Sequence, residues 1–600
     1  MIFSTNKKFN LKANVQHCVI SFIMAWCCVC FVQTIVTSKE VTNPINSLLS
    51  VNYSPNSFIL LGSIFIVAIA FLMLLVTTED KIMEAALVFF TTFPYAILCA
   101  AFQKEVIFCL FLVLLMICDL SYIFRCIADS KKDIGHYFNK KWTIIVIVLL
   151  ALAFVLFTGG FTVYRYLTYS VPNFDGGLFS QMFYYMKNHL TMETTCERDM
   201  LVSHMKIHTS PVYWLLLPFY LIYPGTAILQ VLQAVVLALG IIPFIFIARN
   251  HNIKWGQIAL LSVVYFFYPV MSAGCSYDMH ENMFLPVAIL CLILAFEKNS
   301  FWGIAASTVF VLSIKEDAAV YAAFVAIYMI YAYKVYKKGT AVLFVSIVYF
   351  FGAVYYINHF GMGTSSDRFN NLIAAGDGNV LGIIKTVLAN PAYVFGQMFC
   401  EKKLAYIISV MAPLLFIPIW KGKWHKIILL GPFFLFNLMP DYEYFSNIGF
   451  QYTFGSATLL LYSALVTIED INKASKSKIL AMMAVSSILF FMTTMWSKLY
   501  YMETYNKEYN QATYQKMDEA LALIPDDASV TASTFLCAKL SSRDVLHEIY
   551  YTNKIDEYIA LDLRGEIKDY DVNDYLNNEA FETIYYDEVC IAVFRRKNIQ

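Results

Sequence analysis

Long apolar blocks along almost the whole chain limit what this sequence can fold into. Two examples, 144–157 and 229–247, contain no charged residue. The hydrocarbon core of a bilayer is about 30 Å thick, and about 20 mainly apolar residues cross it as a helix. Only 14% of the 600 residues are charged, against about 25% in soluble domains. The sequence therefore predicts an α-helical polytopic membrane protein.

The length criterion predicts about 15 transmembrane helices. Their expected positions are 17–36, 57–77, 83–101, 105–125, 142–163, 226–248, 256–273, 283–297, 301–317, 319–337, 341–358, 404–420, 426–440, 450–468 and 478–497. The chain is thus divided into N-terminal transmembrane helices (1–141), a core (142–358) with a large outer loop (164–210), a second outer loop (359–403), C-terminal transmembrane helices (404–499) and a soluble domain (500–600).

Basic residues indicate how the chain is oriented, because Lys and Arg collect in cytoplasmic loops. With the N-terminus cytoplasmic, one topology places every basic connection inside. These connections lie near 125–141, 249–254, 334–338, 421–426 and 473–478. The topology requires that 211–223 does not cross, and its 13 residues suit an interfacial or re-entrant helix. We therefore expect a multi-pass protein of the cell membrane with its C-terminal domain outside.

The soluble tail, 500–600, has 19 acidic and 10 basic residues. An acidic domain is more favourable outside than beside anionic cytoplasmic lipids. A helix is predicted over 508–524 and a turn at 525–527. Strands are predicted at 529–532, 557–563, 583–586 and 589–594. The pattern indicates a small α/β extracytoplasmic domain. It contains no glycine-rich phosphate loop or catalytic motif, which favours a cap or interaction module.

Ionisable residues gather at the outer boundary of the predicted topology. Such residues are costly at membrane depth and usually face a bundle interior or a wet cavity. The set comprises Asp175, Glu193, Glu197, Arg198, Asp199, His204, His208, Asp278, His280, Glu281, Lys315, Glu316, Asp317, Asp367, Arg368, Asp377, Asp441 and Glu443. Because several outer connections each supply acids at the same boundary, we expect one polar pocket there.

Asp175 has two interpretations. It precedes Gly176 and Gly177, so it can simply cap the helix that starts near Leu178. Alternatively, its carboxylate is held in a pocket and acts as a general base.

Two other spacings indicate paired side chains. His204 and His208 stand at i and i+4, which puts them on one helix face and matches a two-histidine metal site. The alternative is a pair of hydrated interfacial histidines. Asp278 and Glu281, at i and i+3, also share a helix face, with His280 pointing elsewhere. They fit either contact with substrate or metal, or a hydrogen-bond network within the loop.

Three consecutive charges, Lys315, Glu316 and Asp317, interrupt two apolar blocks. They can pair with one another as a satisfied ion cluster, or they can serve a functional site. The 14 cysteines lie mostly within apolar blocks, where they behave as small apolar side chains and predict no disulfide framework. The formal net charge of zero gives no basic field that would indicate nucleic acid.

Motifs spread over the chain resemble a known family. They are Phe174-Asp175-Gly176-Gly177-Leu178-Phe179-Ser180-Gln181, His208-Thr209-Ser210-Pro211, Leu217-Pro218-Phe219-Tyr220, Leu229-Gln230-Val231-Leu232-Gln233-Ala234, Tyr268-Pro269, Asp278-Met279-His280-Glu281, Lys315-Glu316-Asp317, Gln451-Tyr452, Ile524-Pro525-Asp526-Asp527-Ala528-Ser529-Val530 and Leu540-Ser541-Ser542-Arg543. This order resembles the membrane-protein family called domain of unknown function 2079. The resemblance is best over 161–335, and the first four predicted spans lie outside its best-matching part.

The resemblance also implies a function, because that family is grouped with the GT-C glycosyltransferases. A GT-C-like fold implies transfer of a sugar, with inversion, from a polyprenyl-phosphate carrier to an envelope glycan, lipid or protein acceptor. Asp175 occupies the position of the base. Arg198, Lys206, Lys315 and Arg368 are candidates to hold the lipid phosphate. Asp175 is followed by Gly176 and Gly177 and so is not part of a paired-acid DxD motif, and the requirement for a divalent metal stays open.

Two other functions remain compatible with the sequence. One is a transporter or flippase of a lipid-linked sugar or small polar solute, which would hold its charges near the midplane of the membrane. The other is a non-catalytic envelope assembly factor acting through the acidic tail.

Overall fold

The computed structural model is a mostly helical protein with a small sheet domain at its C-terminal end. It describes residues 11–37, 55–102, 105–130, 139–363, 367–372, 380–420, 422–565 and 570–597. Asp377, one of the predicted pocket acids, lies outside the described residues. The helices before the large polar loop are α1 (Leu11–Thr37), α2 (Pro55–Thr77), α3 (Lys81–Phe102), α4 (Val106–Asp129) and α5 (Lys140–Leu167).

The middle of the chain continues with short and long helices around the polar loop. They are α6 (Leu178–Asn188), α7 (Leu217–Ile222), α8 (Thr226–Leu239), α9 (Ile241–Asn250), α10 (Trp255–Phe267), α11 (Pro269–Ala273), α12 (Leu285–Glu297), α13 (Phe301–Leu312), α14 (Ala318–Tyr333) and α15 (Tyr336–Phe360). The loop itself contains two antiparallel strands of two residues each, β1 (Glu193–Thr194) and β2 (Val202–Ser203).

The C-terminal half completes the helical bundle and then enters the tail. Its helices are α16 (Val380–Ala389), α17 (Pro391–Met398), α18 (Glu401–Met411), α19 (Phe454–Glu469), α20 (Lys473–Met495), α21 (Tyr500–Asn506), α22 (Glu508–Leu521), α23 (Thr534–Leu540) and α24 (Asn573–Leu576). Nearly every residue of α19 is buried, so this helix lies on the axis of the core.

Within the described residues, nine helices are long and apolar enough to cross a membrane. They include α1 to α5, α15, and the continuous segments Thr226–Asn250, Trp255–Ser276 and Ser475–Asn506. The predicted count of 15 is not confirmed, since several predicted spans are short or irregular. Two short apolar helices, α13 and α14, replace the predicted spans 301–317 and 319–337.

The predicted spans 404–420 and 426–440 are not regular helices. Helix α18 ends at Met411 and is followed by 3₁₀ turns at Ala412–Leu414 and Ile417–Ile419. Leu415 and Phe416 lie between these turns with φ of 51° and 54°. Pro413 and Pro418 each remove a backbone donor, so the i to i−4 ladder cannot continue. Apolar composition predicted the burial of much of this segment but not its broken backbone.

Different polar groups lie at the two ends of the helical bundle. At one end, three of the predicted basic connections come together: Lys140 and Arg249 both lie over the Trp255 ring, at 5.8 Å and 5.0 Å. In the same set of loops, the Lys338 amine donates to the Asn299 carbonyl at 2.7 Å. The topology predicted these loops on one side of the membrane, and these contacts agree with that grouping.

The segment 211–223 does not cross the bundle, as predicted. It forms a 3₁₀ turn, Pro211–Leu215, and the six-residue helix α7. Just before it, His208 contacts Glu316. Just after it, the Thr226 hydroxyl donates to the Ala538 carbonyl of the tail at 2.9 Å. Exposed apolar side chains on α7, including Ile222, fit an interfacial helix.

The tail is a small α/β domain, as the sequence predicted. Its strands are β3 (Val530–Ala532), β4 (Leu546–Glu548), β5 (Tyr558–Asp562), β6 (Phe581–Asp587) and β7 (Ile591–Arg596), in the order β4-β3-β5-β7-β6. Strands β3, β4 and β5 run parallel, while β7 pairs antiparallel with β5 and β6. The short strand β4 and helix α23 are additions that the sequence pattern did not indicate.

The tail packs onto the large polar loop. The Tyr185 hydroxyl donates to the Asp544 carbonyl at 2.7 Å, and the Thr195 hydroxyl donates to the Leu546 carbonyl at 2.6 Å. The Arg564 guanidinium donates to the Thr168 carbonyl at 2.9 Å. Buried side chains of the tail and of the helical core belong to one continuous apolar cluster. The tail is therefore an integral part of the fold.

A buried histidine at the end opposite the tail leads to a pH prediction. His251 Nδ1 lies 2.6 Å from Glu469 Oε2, and its Nε2 lies 2.8 Å from Glu297 Oε1. Burial opposes the charged ring, but the two carboxylates outweigh it and raise the pKa of His251 above 6.5. A raised folded-state pKa stabilises the fold below the unfolded value, and this contribution is lost as pH rises through the folded value.

We therefore expect the free energy of unfolding of wild type to fall, relative to His251→Gln, as pH rises above about 6.5. Unfolding of both proteins in the same detergent across pH 5.5–9 measures this difference. His359→Gln is the matched control, because His359 is an exposed histidine on α15. A wild-type advantage that stays constant over the whole range would show that His251 does not gain its proton on folding.

Candidate functional site

A sharp turn at Asp175 begins the polar cluster at the tail-facing end of the bundle. Asp175 has φ 64° and ψ −49°, and Phe174 before it is extended. A non-glycine residue in this region resembles the rare and strained γ-turn, and such strain often accompanies function. Helix α6 starts at Leu178, as predicted, but its N-cap is Gly177 and no side chain caps it. The capping interpretation of Asp175 is therefore wrong.

The two glycines after Asp175 are required by close packing. A Cβ on Gly176 would lie 2.2 Å from Val171 Cγ1 and 3.4 Å from Asp278 Oδ2. A Cβ on Gly177 would lie 2.7 Å from Asn173 Oδ1 and 3.1 Å from Cys537 Cβ of the tail. The turn is thus held between the loop that carries Asp278 and helix α23.

Asn173 fixes the start of the same turn. Its side-chain amide donates to the Cys196 carbonyl at 3.1 Å and to Glu548 Oε2 of the tail at 2.8 Å. Its backbone N–H donates to the Thr534 hydroxyl at 3.1 Å. Because two of these three partners are tail residues, the tail helps to set the position of Asp175.

Asp278 is fully buried and is paired with residues from two helices. Its Oδ1 accepts from the Arg165 guanidinium at 2.9 Å and from the Gln230 amide at 2.8 Å, while its Oδ2 has no partner. Burial raises the pKa of Asp278 to about 7, although Arg165 and Gln230 act in the opposite direction. Sequence reasoning did not assign a role to Arg165. The signal for it was a single arginine at the end of a span that the predicted topology assigns to the outer side, against the positive-inside pattern.

Glu281 forms a second, separate cluster. Its Oε1 lies 3.0 Å from the Lys315 amine, and its Oε2 accepts from the Tyr213 hydroxyl at 2.6 Å. The His280 ring contacts the same carboxylate at 3.2 Å, so the prediction that His280 points elsewhere is wrong. Burial disfavours the carboxylate, but His280 and Lys315 outweigh it and hold the pKa of Glu281 well below its usual range.

The predicted shared helix face of Asp278 and Glu281 is also wrong. The helix ends before them, Tyr277 has φ −82° and ψ −95°, and His280 is extended. Because the backbone between the two acids is irregular, Asp278 and Glu281 reach different partners. The i, i+3 spacing identified a real pair of site residues but not their geometry.

The histidine pair lies side by side, as its i, i+4 spacing predicted, with ring centroids 5.7 Å apart, but it is not on a regular helix. Only His204–Lys206 forms a 3₁₀ turn, and His208 lies beyond it. His208 Nδ1 lies 2.8 Å from Glu316 Oε1, whereas His204 is buried with neither ring nitrogen hydrogen-bonded. Burial lowers the pKa of His208. Among the described residues, no group of three or more His, Cys, Asp or Glu side chains is arranged to hold a metal ion.

The three consecutive charges do not pair with one another. Lys315 pairs with Glu281, and Glu316 pairs with His208 and also accepts from the Thr209 N–H at 3.2 Å. Asp317 Oδ1 has no partner, and burial raises the pKa of Asp317 to about 6. The satisfied-cluster alternative is therefore wrong, because Lys315 and Glu316 pair with other elements and Asp317 Oδ1 is left without a hydrogen-bond partner.

The cations predicted to hold the lipid phosphate differ in their exposure and in the groups that they contact. Arg198 is exposed and donates to the Glu197 carbonyl, and Lys206 is exposed as well. The Arg368 guanidinium lies over the rings of Tyr442, Phe445 and Tyr452, at 5.1, 5.5 and 5.7 Å. Among the described residues, no carboxylate forms a salt bridge with Arg368. Within the described part of the chain it is thus a half-buried cation held by aromatic rings and not by a carboxylate.

The carboxyl of Asp175 lies within this electrostatic environment. Burial, then the neighbouring Glu281 and Asp278, raise the pKa of Asp175 well above its usual value, and Lys315 acts in the opposite direction. No described residue hydrogen-bonds to its side chain. Several buried atoms nearby are also unpaired: Gln230 Oε1, Gln233 Nε2, Asn282 Oδ1, Gln451 Oε1, Asp278 Oδ2 and Asp317 Oδ1. Buried polar groups normally find partners, so this cluster suits water or a polar ligand.

These features define a polytopic membrane protein with a buried polar site at one end of its bundle, covered by an α/β domain. A family model described as "Predicted membrane protein (DUF2079)" matches residues 165–585. Because the match covers more than half of the chain, the protein belongs to this family, as its motifs indicated. The match starts at Arg165 and includes most of the tail, whereas α1 to α4 precede it. A comparison with curated proteins gave no match.

Proposed function

We propose that the protein transfers a sugar from a polyprenyl-phosphate donor to an acceptor at the outer face of the membrane. The observation that carries the proposal is Asp175, a carboxylate held in a strained turn, with a raised pKa and without a hydrogen-bond partner among the described residues. A general base works best when its pKa lies near the working pH. The resemblance to GT-C glycosyltransferases that the motifs imply supports the same role by analogy.

The chemistry assigned to Asp175 is a single displacement. An acceptor hydroxyl gives its proton to the Asp175 carboxylate while its oxygen attacks the anomeric carbon of the donor sugar. The bond between that carbon and the phosphate oxygen breaks, and the polyprenyl phosphate leaves with the electron pair. Attack opposite the leaving group inverts the anomeric configuration. The product is a glycosylated acceptor and free polyprenyl phosphate.

Arg368 is the best candidate to stabilise the leaving phosphate. Lys315 and Arg165 are already paired with Glu281 and Asp278, so their charge is largely neutralised. Arg368 is held by aromatic rings, which attract a cation without occupying its N–H donors. A guanidinium can then bind two phosphate oxygens at once.

Turnover in lipid vesicles tests the proposal. The purified protein is reconstituted with a panel of polyprenyl-phosphate sugars and an acceptor-rich membrane extract, and release of free polyprenyl phosphate is measured. We expect release from at least one donor. If no donor is hydrolysed or transferred while the protein moves lipid-linked sugar across the same vesicles, the flippase interpretation replaces this one.

The transporter alternative predicts a different placement of charge. A substrate site in a transporter is expected near the midplane, often at broken helices of repeated halves. Here Asp175 comes directly before α6, and Asp278 follows the segment Trp255–Ser276, so the acids lie at helix ends. This arrangement favours chemistry at a membrane surface.

Arg368→Gln is expected to raise the KM for the lipid-linked donor by about 10- to 100-fold, because a charge-assisted hydrogen bond contributes about 1.5–3 kcal/mol. Arg368→Lys should restore only part of this loss, since an ammonium cannot bind bidentately. Arg198→Gln is the matched control on an exposed arginine. Equal KM values for Arg368→Gln and wild type would remove Arg368 from donor binding.

A further inference from the structure

A cavity of about 250 Å³ lies between the tail domain and the helical bundle. Thr168, Tyr169 and Ser170, at the end of α5, form part of its floor, and α21 contributes Tyr500 and Tyr501. All other lining residues also belong to the tail. This cavity is distinct from the cluster around Asp175, since it shares none of the acids or cations assigned to transfer.

The sheet places the cavity where α/β domains commonly bind ligands. Ser533 follows β3, Glu548 ends β4, and Asp562 ends β5, and all three line the cavity. These three strands are parallel, so their carboxyl ends meet at one edge of the sheet. Open α/β sheets bind ligands outside the carboxyl ends of their strands.

The lining defines the chemistry of a ligand. Tyrosine rings dominate it, among them Tyr501, Tyr514 and Tyr550. The charged side chains are Glu548, Asp562 and Arg564, and Arg564 already binds both oxygens of Asp562 and two backbone carbonyls. With two acids and one occupied cation, the cavity disfavours a phosphate or another anion. Carboxylates retain further acceptor sites for hydroxyl donors.

We propose that this cavity binds an uncharged saccharide, the glycan portion of the acceptor. Aromatic faces cover the apolar C–H faces of sugar rings, and carboxylate and tyrosine oxygens accept or donate hydrogen bonds to their hydroxyls. The assignment as acceptor rests on the proposed transfer reaction, whereas saccharide binding itself does not.

Hydrogen bonds and an aromatic contact connect the lining of the cavity to the Asp175 turn. Glu548 and Thr534 line the cavity, and both hydrogen-bond Asn173, two residues before Asp175. Phe174, directly before Asp175, packs edge-on against Tyr551 of the tail, with ring centroids 5.3 Å apart. A glycan chain held in the cavity therefore lies beside the turn that carries the base.

Saturation-transfer NMR on the full-length protein in detergent tests the inference. The probes are the neutral trisaccharides of glucose, mannose and N-acetylglucosamine, together with lactose and its anionic counterpart sialyllactose. We expect saturation of at least one neutral saccharide, and weaker saturation of sialyllactose than of lactose. Tyr501→Ala and Tyr550→Ala should each weaken binding about five- to tenfold, the effect of one aromatic contact. Tyr509→Ala and Tyr586→Ala, on exposed tail tyrosines outside the cavity, should leave it unchanged.

The outcomes separate this inference from the proposed reaction. Saccharide binding by Asp175→Asn, with the same sensitivity to Tyr501 and Tyr550, supports the cavity assignment whether or not transfer is detected. Absence of saturation for every neutral saccharide overturns it, as does saturation that neither cavity variant reduces. Preference for sialyllactose over lactose would overturn the charge argument and with it the assignment to an uncharged glycan.

Discussion

Replacement of Asp175 by asparagine is expected to reduce release of polyprenyl phosphate by a factor of about 10²–10⁴, the usual contribution of a general base. Asparagine has nearly the same shape as aspartate and, like it, is among the residues that tolerate a positive φ, so the fold should be unchanged. It cannot accept the proton of the acceptor hydroxyl. The loss should therefore appear in kcat, with little change in the KM for the donor. Vesicle turnover assays of both proteins measure it.

Asp199→Asn is the matched control for this experiment. Asp199 also has a positive φ, 53°, and lies in the same polar loop, but it contacts the tail residues Thr552 and Lys554. The same substitution at another position with a positive φ should leave turnover near the wild-type rate. Full activity of Asp175→Asn, with normal expression, would disprove the assignment of Asp175 as base.

The pH profile gives a second measure of the same residue. Burial and the nearby acids raise the pKa of Asp175, so its carboxylate form is lost as pH falls through a value higher than that of an ordinary aspartate. Activity should then decline on the acid side at a correspondingly higher pH. Asp199→Asn should keep this acid limb. An acid limb in the range of an unperturbed carboxyl, near pH 4, would contradict the assignment.

The features that were predicted best from the sequence are those that depend on composition over many residues. Runs of about 20 apolar residues identified α1 to α5 and most of the core helices, and the alternating pattern after residue 525 identified four of the five tail strands. Several of the acids and bases chosen from the predicted outer boundary contact one another: His208 contacts Glu316, and His280 and Lys315 contact Glu281. These predictions succeed because burial of long apolar stretches and exclusion of charge from lipid leave few alternatives.

Sequence spacing failed where the backbone departs from a regular helix. The pairs His204/His208 and Asp278/Glu281 were both placed on helix faces, and both lie where the chain leaves the helix. Partner choice is a tertiary property, so no local pattern showed that Arg165 would pair with Asp278 across 113 positions. Arg198, chosen by its position in the loop, turned out to be exposed.

The tail illustrates a different limit. The fold of the tail was predictable from its sequence. The prediction that the tail serves as a cap or interaction module did not say where it packs on the rest of the protein. Asn173 and Gly177, on either side of Asp175, both contact it, so the tail contributes directly to the geometry of the candidate site. Its inclusion in the family match is consistent with a single functional unit. Only long-range packing, which sequence spacing does not encode, could reveal this.

Lys315→Met is expected to lower the free energy of unfolding by about 3–5 kcal/mol, the effect of leaving one member of a buried ion pair unpaired. Lys315 and Glu281 are both almost completely buried, 3.0 Å apart. Methionine preserves most of the side-chain volume but removes the charge. Glu281 then keeps only the Tyr213 hydroxyl and the His280 ring, and its pKa should rise. Unfolding measurements in detergent, with the exposed Lys402→Met as control, test this loss.

The double variant Lys315→Met/Glu281→Gln separates charge from packing. Glutamine retains an oxygen for the Tyr213 hydroxyl and removes the unpaired charge, so we expect most of the lost stability to return. Recovery would show that the cost of Lys315→Met comes from an uncompensated carboxylate. A double variant as unstable as Lys315→Met would instead attribute the cost to packing of the lysine chain. Turnover of Lys315→Met should fall, because Lys315 lowers the pKa of Asp175 and its removal favours the protonated, inactive base. The double variant also removes Glu281, which raises the pKa of Asp175, so it should regain turnover relative to Lys315→Met.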